Sequence, residues 1–362
     1  MILIWLFLSI LTLDGQLIEF VAYGDWGAPT QDLKDTIDSI KRVSPNRVFN
    51  LLLGDNFYPG GVSSVDDPQF DSFTNNVLGD TQLMHYMLLG NIDYLGSISA
   101  QIEFSQVNEY WYLPSAYYRR MHVENGITVC LIMIDTTRWD SVQVAWIEEQ
   151  LKAPECYTKN AWTIVSGHYP IWSSISYSDR DNLKSDLVPL LHKYGVQLYL
   201  SGHEHLQDVF FDGSVVQVTS GAVSDVGRAI RFKPHPLQIW GMSGPQSVGY
   251  LRIRLTRGAV DVDILSSRSD ESFESFSITR GGSKESMFGH INWKSSHSNV
   301  YKISTDVSIS KPIFDQTGVP TDSPKTATQT TTKSSWSMGI PSGTLAVLIY
   351  TLIGQFGITS GN

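Results

Sequence analysis

The sequence predicts an α/β fold, and its two halves support that prediction in different ways. The first half contains short apolar runs separated by polar stretches: IEFVAYG, RVFNLLLG, MHYMLLG, ITVCLIMID, AWTIVSG and VQLYLSG. Such runs are typical of strands buried on both faces, and segment 141–152, SVQVAWIEEQLK, is a predicted helical connection between two of them. After residue 205, the segments VFFDGSVVQVTSG, SVGYLRIRL and GAVDVDIL alternate apolar and polar residues, which predicts antiparallel hairpins.

The composition sets the class of protein and limits its partners. The chain has 362 residues, of which 42% are hydrophobic and 17% charged, enough apolar material for one large domain or two small ones. Its net charge of -10 and isoelectric point near 5.3 argue against a nucleic-acid partner, because binding to phosphate backbones depends on Lys and Arg. Small anions could still bind if a metal ion inverted the local field.

The two cysteines, Cys130 and Cys156, are too few for a disulfide framework and lack the paired spacing of a zinc site. Cys130 lies inside a predicted strand, and Cys156 precedes the next one. A single bridge between them and two buried free thiols are both compatible with the sequence. Free thiols are the favoured expectation.

Both ends of the chain have patterns typical of targeting signals. Residues 1–15 begin with the apolar run MILIWLFLSILTL, which has the length of a signal-peptide core, although it lacks an initial Lys or Arg. Residues 281–343 are a polar linker that includes a Ser/Thr-rich stalk, and residues 344–362 form a short apolar tail without a basic stop. This tail favours a glycosylphosphatidylinositol anchor over a membrane-spanning helix. The predicted location is the secretory pathway, with the protein on the extracellular face of a membrane, secreted or lysosomal.

Five of the apolar runs end with glycine followed by a side chain that can bind a metal ion. The motifs are GDWG (24–27), GDNFY (54–58), GN (90–91), GH (167–168) and GHEH (202–205). A single motif of this kind is usually a turn or a helix cap. All five together predict a metal site, because ligands of an open α/β sheet collect outside the carboxyl ends of its strands.

The side chains in these motifs indicate a centre of two ions. The candidate donors, with Tyr58 as an additional one, are Asp25, Asp55, Tyr58, Asn91, His168, His203 and His205. This set exceeds the needs of one tetrahedral zinc ion, whereas two ions that share a bridging carboxylate would use it all. Two ions about 3.5 to 4 Å apart can activate water and stabilise an in-line phosphoryl displacement, so the set predicts phosphate ester hydrolysis.

From about residue 18 to 280 the chain resembles the metallophosphoesterase superfamily. The segments FVAYGDWG, LLLGDNFYPGG, GN, GHYPIW and YLSGHEH are most similar to those of the small, mammalian-type purple acid phosphatases, also called tartrate-resistant acid phosphatases. The resemblance implies two packed mixed β-sheets flanked by helices, with Fe(III) and a divalent Fe, Zn or Mn ion at the strand ends. Its implied ligands are Asp25, Tyr58 and His205 for Fe(III), Asn91, His168 and His203 for the divalent ion, and Asp55 as the bridge.

The chain departs from this family at residues that contact substrate. The family has Gly-Asn-His-Asp where this chain has GNID, so Ile92 replaces a histidine that binds phosphate and helps to protonate the leaving oxygen. Ser176 and Tyr177 occupy positions where the family has an acidic residue and a histidine. Segment 135–143 is also short where mammalian relatives carry a protease-sensitive repressive loop. The candidate substitutes for the missing acid are Asp93, Tyr94, Tyr177 and His235.

Two functions are therefore compatible with the sequence. The favoured one is an acid phosphatase-like hydrolase of phosphate monoesters, either small esters or phosphopeptides, that is slowed by Ile92. General acid catalysis contributes about 10² to 10⁴ in rate, so its loss slows such an enzyme without abolishing turnover. The alternative is a membrane-anchored binding or surface protein that retains the metal site without turnover.

Overall fold

The structure is a computed structural model that describes residues 17–78, 81–156, 161–175, 179–224, 232–280 and, for the backbone only, 291–293. The predicted signal segment 1–15 and the tail 344–362 lie outside the described residues, as does the linker and stalk 281–343 apart from 291–293. In the described part of the chain, no helix is long and apolar enough to cross a membrane.

Within the described residues, fifteen strands form two sheets. In chain order, β1 to β15 are Ile18–Tyr23, Phe49–Leu52, Met84–Met87, Trp111–Tyr112, Tyr118–Glu124, Ile127–Ile134, Ala161–Gly167, Leu198–Ser201, Leu206–Phe211, Val216–Ser220, Gln238–Ser243, Gly249–Leu255, Ala259–Ser266, Ser272–Thr279 and Ile291–Trp293.

Helices connect the strands of the first half. Helices α1 to α5 are Gln31–Val43, Phe70–Ser72, Ile98–Val107, Ser141–Lys152 and Val188–Lys193. Helix α2 continues as a π-helical turn over Phe73–Leu78, and a similar turn over Leu183–Leu187 precedes α5. The predicted helix 141–152 is confirmed, and its start is fixed by Asp140, whose carboxylate accepts a hydrogen bond from the Gln143 N–H (2.8 Å).

The sheet topology confirms the predicted α/β architecture of two mixed sheets. The first sheet has the order β15-β14-β13-β12-β1-β2-β3-β4, and the second has the order β11-β9-β10-β8-β7-β6-β5. Strands β1, β2 and β3 pair in parallel, as do β6, β7 and β8, so each sheet has a parallel centre. The antiparallel pairs β9–β10 and β12–β13 are hairpins predicted from the second half of the sequence.

Strand β6 shows why its sequence is an unbroken apolar run. Its residues Val129, Leu131 and Met133 pack in the core cluster that also contains residues of the first sheet. The alternate residues Ile132 and Ile134 pack with helices α4 and α5 on the opposite face of the second sheet. Both faces of the strand are therefore buried, because successive side chains of a strand point in opposite directions.

The expectation of two free thiols is wrong. Cys130 and Cys156 form a disulfide, with their Cα atoms 5.4 Å apart. Cys130 lies in the centre of β6, and Cys156 lies in the segment that follows α4, so the bridge ties that segment to the sheet. The two residues are 26 positions apart, and only the packing of α4 against the second sheet brings them close.

Candidate metal centre

The carboxyl ends of five strands bring predicted donor residues to one edge of the sheets. The residues that follow β1, β2, β3, β7 and β8 are, in that order, Asp25, Asp55, Asn91, His168 and His203. Both sheets contribute because each has parallel strands at its centre that end at this edge. The structure therefore collects residues that are as many as 178 positions apart, as in the pair Asp25 and His203.

Three of these donors have a strained backbone. Asp25, Asp55 and His203 have φ angles of 58°, 55° and 67°, in the left-handed region that residues other than glycine rarely adopt. Such conformations cost of order 1 to 3 kcal/mol and persist where the surrounding structure enforces them. Strain of this kind clusters at functional sites, so the backbone marks this edge independently of the side chains.

Glycine precedes the donors for two different physical reasons. Gly54 has a φ of 93°, so the tight turn expected from the sequence accounts for it. At Gly90 the reason is space, because a Cβ atom there would lie 2.1 Å from Oδ1 of Asp55. A Cβ atom at Gly202 would lie 2.7 Å from Oδ2 of Asp25. These glycines therefore let the carboxylate of one loop pass over the backbone of another.

The first donor group surrounds the hydroxyl of Tyr58. This hydroxyl donates to Oδ2 of Asp55 (3.0 Å) and lies 3.2 Å from both Oδ1 of Asp25 and Nε2 of His205. His205 Nε2 is in turn 3.3 Å from Asp25 Oδ1. Asp25 is held from behind, because its Oδ2 accepts a hydrogen bond from the His203 backbone N–H (2.8 Å).

The second donor group surrounds Nε2 of His168. This atom lies 3.2 Å from Oδ1 of Asn91 and 3.3 Å from Oδ1 of Asp55. The Nδ1–H of His168 donates to the Leu53 carbonyl oxygen (2.8 Å), which orients the ring with Nε2 toward the other donors. The ring of His203 packs edge-on against that of His168, with centroids 5.2 Å apart.

Asp55 belongs to both groups. Its Oδ2 faces the Tyr58 group, and its Oδ1 faces the His168 group. Oδ1 also accepts a hydrogen bond from the Ile92 backbone N–H (2.9 Å), which fixes the plane of the carboxylate. A carboxylate with one oxygen in each of two donor groups has the geometry of a bridging ligand.

The protein groups alone set an unusual electrostatic balance here. Burial lowers the pKa of His168, but the charges of Asp55 and Asp25 and hydrogen bonds outweigh that effect and raise it to about 9. Burial raises the pKa of Asp55, but the charge of His168 and hydrogen bonds bring it below its usual value. Burial, with the negative charges of Asp25 and Asp55, raises the pKa of Tyr58. Tyr58 would therefore ionise only beside added positive charge.

The donor set fits a pair of cations. Asp25, Asp55 and His168 are buried, and each offers a ligand atom within 4.8 Å of the others. Within the described residues, neither carboxylate has a Lys or Arg partner, so positive charge from bound ions would balance them. Oxygen donors dominate the Tyr58 group, which suits a harder ion, whereas imidazoles and an amide form the other group.

Ile92 contributes its backbone to this site, and its side chain has no proton to donate. It is partly buried and begins a short 3-10 turn, Asp93–Leu95. The Asp93 carboxylate is fully buried and accepts hydrogen bonds from Gly90 N–H (2.7 Å), Asn56 N–H (3.0 Å) and the Gln101 amide (2.9 Å). Burial, followed by the charge of Asp55, raises the pKa of Asp93 to about 7. Asp93 therefore holds three segments together behind the donors.

The other candidate helpers that the structure describes have partners outside the donor set. The Tyr94 hydroxyl donates to Asp135, at the end of β6. His235 lies 3.3 Å from a carboxylate oxygen of Asp179, and its ring packs against Phe210 with centroids 5.0 Å apart. Tyr177, like Ser176, lies outside the described residues. The connection from β6 to α4 is short, as expected, since it runs only from residue 135 to residue 140.

Sequence reasoning missed two neighbours of the donors. Tyr169 follows His168, and its ring packs against that of His203 with centroids 4.4 Å apart. The guanidinium of Arg180 stacks on the Tyr169 ring, with its central carbon 3.7 Å from the ring centroid. The tyrosine in GHYPIW was a visible signal, whereas no local pattern connects Arg180 to the motif.

Comparison with known proteins agrees with this architecture. The sequence pattern of the family described as calcineurin-like phosphoesterase matches residues 18–207. Tartrate-resistant acid phosphatase type 5 of Rattus norvegicus is 34% identical over 256 residues, which cover 61% of this chain and 77% of that protein.

Two solved structures share the fold. GAP50, described as the anchor in the inner membrane complex of Plasmodium, superimposes with a TM-score of 0.64 at 22% identity, over 74% of this chain and 90% of that one. Purple acid phosphatase PPD1 of yellow lupin (Lupinus luteus) superimposes with a TM-score of 0.60 at 15% identity, over 74% of this chain and 54% of that one. At these identities the two likenesses establish the fold alone.

Proposed function

The chain belongs to the calcineurin-like phosphoesterase family, and from this premise we propose that it hydrolyses phosphate monoesters at a centre of two metal ions. The observation that carries the proposal is the position of Asp55, with one carboxylate oxygen in each donor group. The acid phosphatase relative supports the same reaction class.

In the proposed centre, each of the two ions has its own set of ligand residues. Asp25, Tyr58 and His205 would hold Fe(III), because a phenolate and a carboxylate suit a trivalent ion. The divalent Fe, Zn or Mn ion would be held by Asn91, His168 and His203. Asp55 would bridge the two. When bound, the ions supply Lewis-acid charge and an activated water for in-line attack on phosphorus.

The protein's own groups orient these ligands and limit the rate. The Leu53 carbonyl fixes the tautomer of His168, and the Ile92 N–H fixes Asp55. No described side chain at position 92, 93 or 94 is placed to protonate a leaving alkoxide, because Ile92 is apolar and the other two are engaged elsewhere. We therefore propose a slowed phosphatase whose best substrates have leaving groups that need little protonation.

Ile92 also favours a second candidate, a membrane-anchored binding or surface protein that keeps the ions without turnover. Hydrolysis of para-nitrophenyl phosphate by purified protein of measured metal content separates the two functions. A phosphatase converts this ester at a steady rate that chelation abolishes. A binding protein carries the ions and converts none.

A substitution at Tyr58 tests whether the ion held by Asp25, Tyr58 and His205 is Fe(III). We expect the purified protein to absorb visible light through phenolate-to-Fe(III) charge transfer, and Tyr58→Phe to remove the band while the fold remains. Tyr94→Phe is the matched control, since this hydroxyl contacts Asp135 rather than the donor group, and the band should persist. A colourless wild-type protein that contains only zinc would contradict the Fe(III) assignment. The measurement is a visible spectrum with metal analysis.

We also propose that the protein acts outside the cytosol, on the extracellular face of a membrane or in a secreted or lysosomal form. The Cys130–Cys156 disulfide supports this location, because such bonds persist in oxidising compartments.

Phosphatidylinositol-specific phospholipase C should release the protein from cells, since we propose a lipid anchor attached near the end of the stalk. The measurement is an immunoblot of the supernatant after enzyme treatment. Retention on the cells, together with a C-terminal tag found in the cytosol, would indicate a membrane-spanning tail instead.

A further inference from the structure

Arg180 places a cation beside the second donor group. Its guanidinium carbon lies 3.7 Å from the centroid of the Tyr169 ring. That ring packs against His203, with centroids 4.4 Å apart and planes at 84°. A single aromatic ring therefore separates the guanidinium from an imidazole of the proposed divalent-ion site.

The backbone around Arg180 is fixed to the segment that carries the site. The Arg180 N–H donates to the Ile171 carbonyl oxygen (3.0 Å), three residues beyond His168. The Ile171 N–H in turn donates to the Gln217 side chain (2.7 Å) in β10 of the second sheet. Stacking on Tyr169 restricts the side chain as well. The guanidinium is therefore positioned by the fold.

The positive charge of Arg180 opposes the burial that raises the pKa of Glu204, but no neighbouring acid forms an ion pair with the guanidinium in the described residues. Asp179, the adjacent carboxylate, is bound by Lys184 (3.1 Å) and lies 3.3 Å from His235 Nε2. Across the ranges that the structure describes, no carboxylate lies within ion-pair distance of the Arg180 guanidinium. Stacking occupies a face of a guanidinium and leaves its N–H edges free to donate.

We propose that Arg180 binds the phosphate group of the substrate, an inference that rests on the proposed phosphatase function. A planar guanidinium can donate two parallel hydrogen bonds to phosphate oxygens, and these charge-assisted bonds are among the stronger ones in proteins. Arg180 would thus replace the phosphate-binding part of the role that Ile92 cannot play. It would not replace the acid, because a guanidinium does not release its proton near neutrality.

The test measures binding of inorganic phosphate by calorimetry to the metal-loaded protein, in parallel with para-nitrophenyl phosphate kinetics. Arg180→Ala should weaken phosphate binding and raise KM, each by about tenfold or more, and Arg180→Lys should recover part of the loss. Arg280→Ala is the matched control. This guanidinium also stacks on an aromatic ring, 4.1 Å from the centroid of Trp162, but at the opposite end of β7. The Arg280→Ala variant should bind phosphate with an affinity within about twofold of that of the wild type.

The outcomes separate this inference from the proposed function. Phosphate binding that depends on Arg180, in a protein without turnover, supports the inference and refutes the phosphatase. Turnover and phosphate binding that are unchanged in a folded, metal-loaded Arg180→Ala variant overturn the inference and leave the phosphatase intact. An equal loss in Arg280→Ala, or a wild-type protein that does not bind phosphate, also overturns it. Thermal unfolding and metal content of each variant identify losses caused by misfolding.

Discussion

Asp55→Asn should reduce bound metal from about two ions per chain to one or none and lower kcat/KM by at least about 10³-fold. The carboxylate oxygens of Asp55 lie in different donor groups, and asparagine has only one oxygen and no charge. Loss of the bridge therefore removes both the pairing of the ions and a negative charge that holds them. Metal analysis and para-nitrophenyl phosphate kinetics on the same sample measure the two effects.

Asp263→Asn is the matched control for this loss. Asp263 is also a buried carboxylate with charged partners, since it pairs with Arg252 (2.9 Å) and Arg254 (3.0 Å), both on the adjacent strand β12 of the first sheet. Its replacement should lower stability and leave metal content and specific activity near wild type. Full metal content in Asp55→Asn would contradict the bridging role.

Ile92→His should raise turnover of alkyl phosphates by at least about tenfold and that of aryl phosphates by less. Histidine at this position titrates near neutrality and follows the proposed ligand Asn91, so it could protonate the departing oxygen. Alkyl leaving groups need that proton more than aryl ones do. Steady-state kinetics on one ester of each type, with metal content measured in the same sample, gives the comparison.

Leu95→His is the matched control, because Leu95 lies in the same short turn but is 70% exposed. It introduces the same side chain without placing it beside Asn91, and activity should change little. Equal gains on both esters for Ile92→His would mean that histidine acts by binding phosphate. No gain in a folded, metal-loaded Ile92→His variant would favour the binding protein.

The buried strands and the gathering of donor residues at one sheet edge could be predicted from the sequence for one physical reason. Each of the five donor motifs follows an apolar run directly, and parallel strands bring their carboxyl ends to the same edge. The local signal and the tertiary arrangement therefore agree. Even so, the role of glycine was only partly anticipated, because the need for space at Gly90 depends on Asp55, which lies in another loop.

Features that depend on the approach of distant segments were not accessible. The contact between Tyr94 and Asp135 joins the loops after β3 and β6, which belong to different sheets. Arg180 reaches Tyr169 only because its backbone returns to Ile171. The Cys130–Cys156 bridge depends in the same way on how α4 packs against the second sheet. Neither Tyr94 with Asp135 nor Arg180 with Tyr169 has a spacing that marks the pair in the sequence. The bridge between the two cysteines was an open alternative that the packing of the chain decides.

Turnover measured as a function of bound metal tests the proposed two-ion centre. Metal-free protein is titrated with ions, and bound ions per chain and hydrolysis of para-nitrophenyl phosphate are determined at each step. A phosphatase centre bridged by Asp55 should show negligible turnover with one ion per chain and reach a plateau as the second ion binds, at about two per chain. Full turnover with a single bound ion, or none with two, would contradict a phosphatase centre bridged by Asp55.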